Sequence, residues 1–410
     1  MGLNLWRRGG SEGSSEHLSE KKVKFSLFSL YLSTLSIRVS AYMIIGVMVS
    51  REFIPISEIQ RGLVIPLFSI SELATVLLFG TLCDTFGRKP ILISAHAIVA
   101  SAGFIFLVVH DFLTMIPVML MFGVGAAAQV SSSMSTISDH SRLYNRARLM
   151  AVYDVLTMGG LAGGYISAII LTRGAKLGFD EVFLLAGGIA LASGILVILL
   201  MIETKAPRSI EMKPMQMVTQ VFAQRDIHIL LPVYIPVISI YGMVLSFTRT
   251  LIEEHNIQVE PDTLLLLAMI GGGLILSMLL SGYLSDKLKL RRPFIIIGLI
   301  FFGALATTLI LNAGNIPALS ALWPVILLLS LGAGAFPPAI LGYLSDISKR
   351  ETRGITFGVY SLIFGTGMII GPILGGISLQ FYGPTGFIIL MFIFVSVSCS
   401  ATIFMKEKLK

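Results

Sequence analysis

Apolar stretches of about 20 residues match the thickness of a bilayer's hydrocarbon core, and this 410-residue chain carries twelve of them. They fall at about 25–50, 63–86, 90–109, 112–137, 148–172, 181–202, 227–251, 263–285, 293–312, 322–346, 355–379 and 386–405. No water is available in that core, so backbone groups must be satisfied within a helix or a closed barrel. Barrel strands alternate apolar and polar residues, and these runs do not. The expectation is an all-α membrane protein with twelve transmembrane helices. Composition agrees: 13% of residues are charged, against about 25% in soluble domains, and the mean hydropathy is +0.87.

The longest connection, 203–226, follows the sixth span and separates two six-helix bundles, 25–202 and 227–405. Residues 1–24 and 406–410 are expected to be cytoplasmic tails. The first is polar (SEGSSEHLSEKK), lacks the apolar core of a signal peptide, and reads as disordered. Trp6 stands where a myristoylation signal wants Ser or Thr.

Basic residues gather on the cytoplasmic side of membrane proteins. With the N-terminus inside, 24 of the 30 Lys and Arg fall on inner segments. Only four, Arg51, Arg61, Arg173 and Lys176, fall on outer loops, and Arg38 and Arg249 lie within spans. Both termini are therefore expected in the cytoplasm, with the chain in the plasma membrane. The net charge of +7 is then an orientation signal, and nucleic acid is not an expected partner. Cys83 and Cys399 lie far apart in or beside apolar runs, which supports neither a disulfide framework nor a metal cluster. No G-x-x-x-x-G-K-(S/T) nucleotide loop occurs. No cofactor is expected.

The two halves repeat. GTLCDTFGRKP (80–90) matches GYLSDKLKLRRP (282–293), and ISDHSRLYNRARLMAVY (137–153) matches LSDISKRETRGITFGVY (344–360). In the second pair Asp139, Arg146 and Tyr153 correspond to Asp346, Arg353 and Tyr360 at an offset of 207, which also pairs Gly160 with Gly367 and Gly164 with Gly371. Duplicated halves are a recurrent transporter design with the binding site between them.

Residues 80–89 closely resemble the signature G-x-L-(A/S)-D-(R/K)-x-G-R-(R/K) of the major facilitator superfamily. Gly80, Leu82, Asp84, Gly87, Arg88 and Lys89 match, Cys83 is a small substitute, and Thr85 replaces a base. Gly282, Leu284, Ser285, Asp286, Arg291 and Arg292 echo it with one extra residue in the turn. The resemblance covers residues 25 to 405 and implies the major facilitator fold, two pseudo-symmetric bundles working by alternating access. It says almost nothing about substrate.

Gly80 lets a neighbouring helix approach, and Asp84 can pair with Arg88 one turn on or face the N-terminal end of a helix. The resemblance implies that this helix is the eleventh and that the contact locks the cytoplasmic side. Asp139, Arg146, Asp346 and Arg353 would support the same charge network. The alternative is that Asp84 and Arg88 only shape a tight turn. Gly367, Gly371 and Gly375 beside Pro372, with GGLAGG at 159–164, read as close-packing surfaces on spans 11 and 5. The family's antiporter motif usually carries Gly-Pro in span 5, where Tyr165 follows Gly164. That departure weighs against a drug–proton antiporter.

A charge at the bilayer centre costs about 2.5–3.5 kcal/mol on insertion scales, so it faces a wet cavity or a partner. Arg38 lies near the middle of span 1, on a polar stripe with Tyr31, Thr34 and Tyr42. Glu72 reaches similar depth on span 2, Gln129, Ser132, Ser133 and Thr136 share a face of span 4, and Asp154 lies on span 5. In the superfamily these four helices line the central cavity. Arg38, Tyr42, Gln129 and Tyr31 are the candidate substrate contacts, and Glu72 and Asp154 the candidate proton carriers; an Arg38–Glu72 structural pair is the alternative. Arginines on spans 1 and 7 resemble the organophosphate–phosphate exchange branch, but Arg249 lies well outward of Arg38, and an Arg249–Glu253 surface pair is the expectation there. His96 reads as a packed residue. The helix-4 arginine of many proton-coupled members is absent.

The expected protein is no enzyme. It is a monomeric secondary transporter of a small-molecule solute, driven by protons or another coupling ion, with an organic anion or metabolite as the substrate suggested by Arg38. Efflux of hydrophobic drugs is the alternative, encouraged by a Met-rich lining. A non-transporting membrane receptor on the same scaffold is the alternative of another class.

Overall fold

The computed structural model describes residues 15–140, 146–204, 225–254, 261–347 and 353–405. Regular structure among them is helical: α1 (Ser15–Met48), α2 (Glu58–Phe86), α3 (Arg88–Ile105), α4 (Phe112–His140), α5 (Arg146–Ile169), α6 (Phe179–Leu200), α7 (Arg225–Glu254), α8 (Pro261–Leu288), α9 (Arg292–Leu311), α10 (Ile316–Ala321), α11 (Trp323–Ala333), α12 (Phe336–Ile347) and α13 (Arg353–Ile403). Among the described residues, eleven helices are long and apolar enough to cross a membrane. One of them, α13, is two crossings joined at Gly383, whose φ of 63° breaks the helical path. Proline at 384 removes the next backbone donor, and glycine tolerates the positive φ. Twelve crossings result.

Two boundaries differ from the sequence expectation. Residues 15–24, expected within a disordered tail, form the first turns of α1; Glu20 and Lys24 stand four apart, a spacing that supports a helix without an apolar face. Helix α2 starts at Glu58, where Ser57 and Gln60 make a reciprocal capping box. Arg61, expected on an outer loop, is therefore inside α2 and fully buried. Most of the central connection (205–224) and the C-terminal tail (406–410) lie outside the described residues.

Helices α1–α6 pack as one bundle and α7–α13 as the other, with α2 crossing to touch α7 and α13. The repeated glycines explain the closest pairings. A Cβ on Gly160 would lie 2.7 Å from Cβ of Arg38 and 3.0 Å from the Leu35 carbonyl; one on Gly367 would lie 2.6 Å from Cβ of Ile238 and 3.0 Å from the Ile235 carbonyl. Likewise Gly164 sits against the Val39 carbonyl and Gly371 against that of Ser239. The partners on α1 and α7 are thus related by one offset of 200, as the glycines are by 207. Small residues let backbones meet where lipid offers no hydrophobic drive to associate.

A methyl group on Gly163, in the same motif, would meet nothing within 4 Å. Gly164→Val and Gly371→Val are expected to lower thermal stability in detergent by about 1–3 kcal/mol each, the usual cost of overpacking. Gly163→Ala is expected to leave the unfolding temperature unchanged.

Candidate substrate site and its two ends

Arg38 is buried on α1, and its Nη2 lies 3.5 Å from Oε1 of Glu72, whose side chain remains 22% exposed. Tyr42, one turn along α1, packs edge-on to Phe68 with centroids 6.3 Å apart. Three of the sequence candidates, Arg38, Glu72 and Tyr42, therefore lie at one level. A narrow pocket beside them is lined by Arg38, Ala41, Phe68, Phe122, Ala126 and Gln129. Gln129 donates to Thr34 and Ser133 at 3.2 Å each, and its buried Oε1 has no partner among the described residues. That oxygen is available to a donor on a solute or a water.

Tyr31 does not join this group. Its hydroxyl donates to the Leu149 carbonyl at 3.0 Å and pins α1 to α5. Ser132 and Thr136 bond backbone carbonyls, the common fate of hydroxyls on helices. His96 is packed, with Nε2 3.0 Å from Ser33 and 3.1 Å from Ser193. The side chains of Asp154, Arg146, Asp346 and Arg353 lie outside the described residues.

At one end of the helices stands the signature turn. Arg88 is buried and holds Asp139 at 2.9 Å through Nε, Asp84 at 3.1 Å through Nη2 and the Cys83 carbonyl at 2.7 Å through Nη1. The Glu203 carboxylate accepts the N–H groups of Arg88 (2.8 Å) and Lys89 (3.1 Å), capping the N-terminus of α3. Gly87 has φ 101° and faces that carboxylate closely, so only glycine suits it. Glu203 was missed in the sequence; nothing in its spacing from residue 88 signals the contact. Lys89 reaches back to the Ile198 carbonyl at 2.7 Å. In the second half Arg291 meets Asp286 at 2.6 Å and Ser285 at 2.8 Å.

Gly80 does not serve a close approach here: a methyl group there would meet nothing within 4 Å. Asp84 is 67% exposed, and its described ion partner is Arg88 of its own bundle. Among the described residues, no atom of the second bundle comes within 4 Å of a Cβ at Gly80. At the far end the bundles touch: Gly62 of α2 sits against the Pro372 carbonyl of α13, a Cβ on Gly376 would be 2.6 Å from the Glu58 carbonyl, and the Ile59 N–H donates to Gln380 at 3.3 Å. Pro372 and Gly375 thus lie on a helix that serves both its own bundle and the contact between bundles.

The far end also corrects the reading of Arg249. It forms the expected pair with Glu253 at 2.8 Å, but the two side chains are only 1% and 3% exposed. The pair is buried between the bundles rather than on the surface. Nor does Arg249 mirror Arg38, because the packing of the repeated glycines places Ile238 in that position.

Two helical bundles that close at one end around a buried polar centre define a membrane transporter. The Major Facilitator Superfamily model matches residues 28–287 and 230–408, and the chain belongs to that family. It is 25% identical over 371 residues to Multidrug resistance protein 2 of Bacillus subtilis, covering 86% of this chain and 88% of that protein. It is 22% identical over 361 residues to Quinolone resistance protein NorA of Staphylococcus aureus, covering 85% and 89%. Among solved structures, the bacterial homolog of the human lysosomal transporter Spinster, inward-facing and unoccupied, superposes with a TM-score of 0.70 at 17% identity over 97% of each chain. The human organic anion transporter MFSD10 superposes at 0.64 with 14% identity, over 94% of this chain and 99% of that one. These two likenesses show the fold.

Removing one partner of a buried pair strands the other charge. Glu72→Gln is expected to cost about 3 kcal/mol of stability, the low end for such pairs because Glu72 keeps some exposure. The double variant Arg38→Met with Glu72→Leu is expected to recover most of that loss in thermal unfolding. A double variant no more stable than Glu72→Gln would show that the pair is not what holds this level together.

Proposed function

We propose that the chain is a proton-coupled exporter of small, largely apolar drug-like compounds, acting as a monomer in the plasma membrane by alternating access. Both termini and the signature turn face the cytoplasm in this reading, so the conformation described above opens inward. The observation that supports it is the contact of the bundles at the far end, while Gly80 and Asp84 of the signature turn stay open among the described residues, with the Arg38–Glu72 pair lying between the two. The names of the relatives that match over most of the chain favour drug efflux. So does the site: the Arg38 charge is already answered by Glu72, and its surroundings are aromatic and aliphatic.

Glu72 is the proposed proton carrier, with Asp154 as the second candidate. A proton on Glu72 removes the charge that holds Arg38, so protonation and solute binding both act on one pair. Arg38 itself favours a second reading, in which the guanidinium released by protonation takes a carboxylate, as a symporter or exchanger of organic anions would require. A receptor on this scaffold would bind a compound and move none.

The test is flux in proteoliposomes against a panel of fluoroquinolones, lipophilic cationic dyes and small carboxylates, with and without a pH gradient. Drug-like compounds are expected to accumulate only with the gradient. Either Glu72→Gln or Asp154→Asn is expected to cut gradient-driven accumulation at least tenfold. If both retain it, the coupling assignment is wrong. If carboxylates alone move, and Arg38→Ala stops them, the anion reading takes its place; binding without flux of any compound would favour the receptor.

A further inference from the structure

The end of α1 is finished by side chains from the other bundle. An α-helix leaves its last four carbonyls without helical partners. At the end of α1 the Ile45 carbonyl accepts from Val49 and that of Val47 from Ser50. The Gly46 carbonyl instead accepts from Nη1 of Arg249, on α7, at 2.9 Å. Nη2 of the same guanidinium donates to Thr172, beyond α5, at 3.0 Å, and Nε holds Glu253 at 2.8 Å. Its backbone N–H donates to Tyr165 of α5 at 3.3 Å. Glu253 in turn accepts from the Ser50 hydroxyl and, at 2.6 Å, from the Arg51 N–H.

One ion pair of the second bundle thus holds three donors or acceptors in the last turn of α1 and just beyond it, and two more on the α5 side. A cation here also faces the negative end of the α1 dipole. The rest of the far end is different in kind. Arg51 bridges Glu58 at 2.7 Å and Glu254 at 3.3 Å with its own side chain 38% exposed. Arg61 stays within the first bundle, on Glu58 and the Val49 and Ile56 carbonyls, and Arg173 pairs with Glu52 there.

We infer that Arg249 and Glu253 are the positioning residues of transport at the far gate, a buried clasp that holds the outward side shut and must release the Gly46, Ser50, Arg51 and Thr172 groups before that side opens. Water can take over each of those partners once the bundles part, so the clasp is reversible. Neither charge can leave alone, because the other would stay buried without a partner. Loss of either charge therefore shifts the resting population toward the outward-open form. The inference rests on the alternating-access reading but names which contact governs it.

The experiment places spin labels at Lys176 and Asp262, exposed positions at the far ends of the two bundles, and reads their distance by pulsed dipolar spectroscopy in lipid nanodiscs without substrate. The unsubstituted residues at 249 and 253 are expected to give one short-distance population. Glu253→Gln and Arg249→Gln are each expected to add a longer population that becomes the major one. Glu253→Asp keeps the charge and is expected to restore part of the short one. Asp111→Asn, an exposed carboxylate on the same face that bonds Thr114 within its own bundle, is expected to change nothing. If Glu253→Gln fails to fold, Arg249→Gln and Ser50→Ala still report, the latter as a smaller shift. Unchanged distances in the folded variants, or an equal shift in Asp111→Asn, would overturn the inference. Because no substrate is present, a failed flux assay with an intact distance shift counts against the proposed function alone.

Discussion

Every arginine sunk into this membrane protein must be answered by a carboxylate or a carbonyl, and that requirement organises the structure. Arg38 has Glu72 at mid-depth, Arg88 has Asp84, Asp139 and the Cys83 carbonyl at the signature end, and Arg249 has Glu253 and the Gly46 carbonyl at the far end. Arg61 is likewise held by Glu58 and two carbonyls. The cost of an unpaired buried charge is several kcal/mol, so each level is either fully paired or reorganised as a unit. The three levels differ in which bundles they join. Arg38 and Arg88 close their circuits within the first bundle, whereas Arg249 closes its circuit across both.

The duplication repeats the scaffold and not the chemistry. Glycines of α5 and α13 press on matching carbonyls of α1 and α7, and the crossing of each helix pair is set by the same contact. Yet Ile238 occupies the position of Arg38, so the Arg38–Glu72 centre belongs to the first bundle. The shared architecture thus carries a one-sided polar centre. It explains why a second arginine in the sequence, Arg249, served a different end of the molecule.

Fold and candidate site were legible in the sequence to different depths. The crossings follow from apolar run length, a property of the chain alone, and the repeat was visible because Gly160, Gly164, Gly367 and Gly371 must stay small wherever backbones touch. The Arg38–Glu72 meeting followed from depth, since two charges in hydrocarbon at one level seek each other. Contacts between bundles were not legible. Arg249 and Glu253 at helical spacing look the same whether they face lipid headgroups, water or another helix, and only the packing of α7 against α1 shows which. The cap supplied by Glu203 was hidden for the same reason: local composition permits several outcomes, and the neighbouring chain decides. Tyr31 shared the stripe of Arg38, but its hydroxyl found a carbonyl on α5 first.

The central claim is that the far contact of α2 with α13 must break and re-form in each transport cycle. The direct measurement is flux through protein carrying cysteines at Ile59 and Gln380, residues joined across that contact, in a background without Cys83 and Cys399. Bridging them with a short bifunctional thiol reagent is expected to stop flux, and cleaving the bridge to restore it. A bridged protein that transports at the rate of the unbridged one would contradict the account.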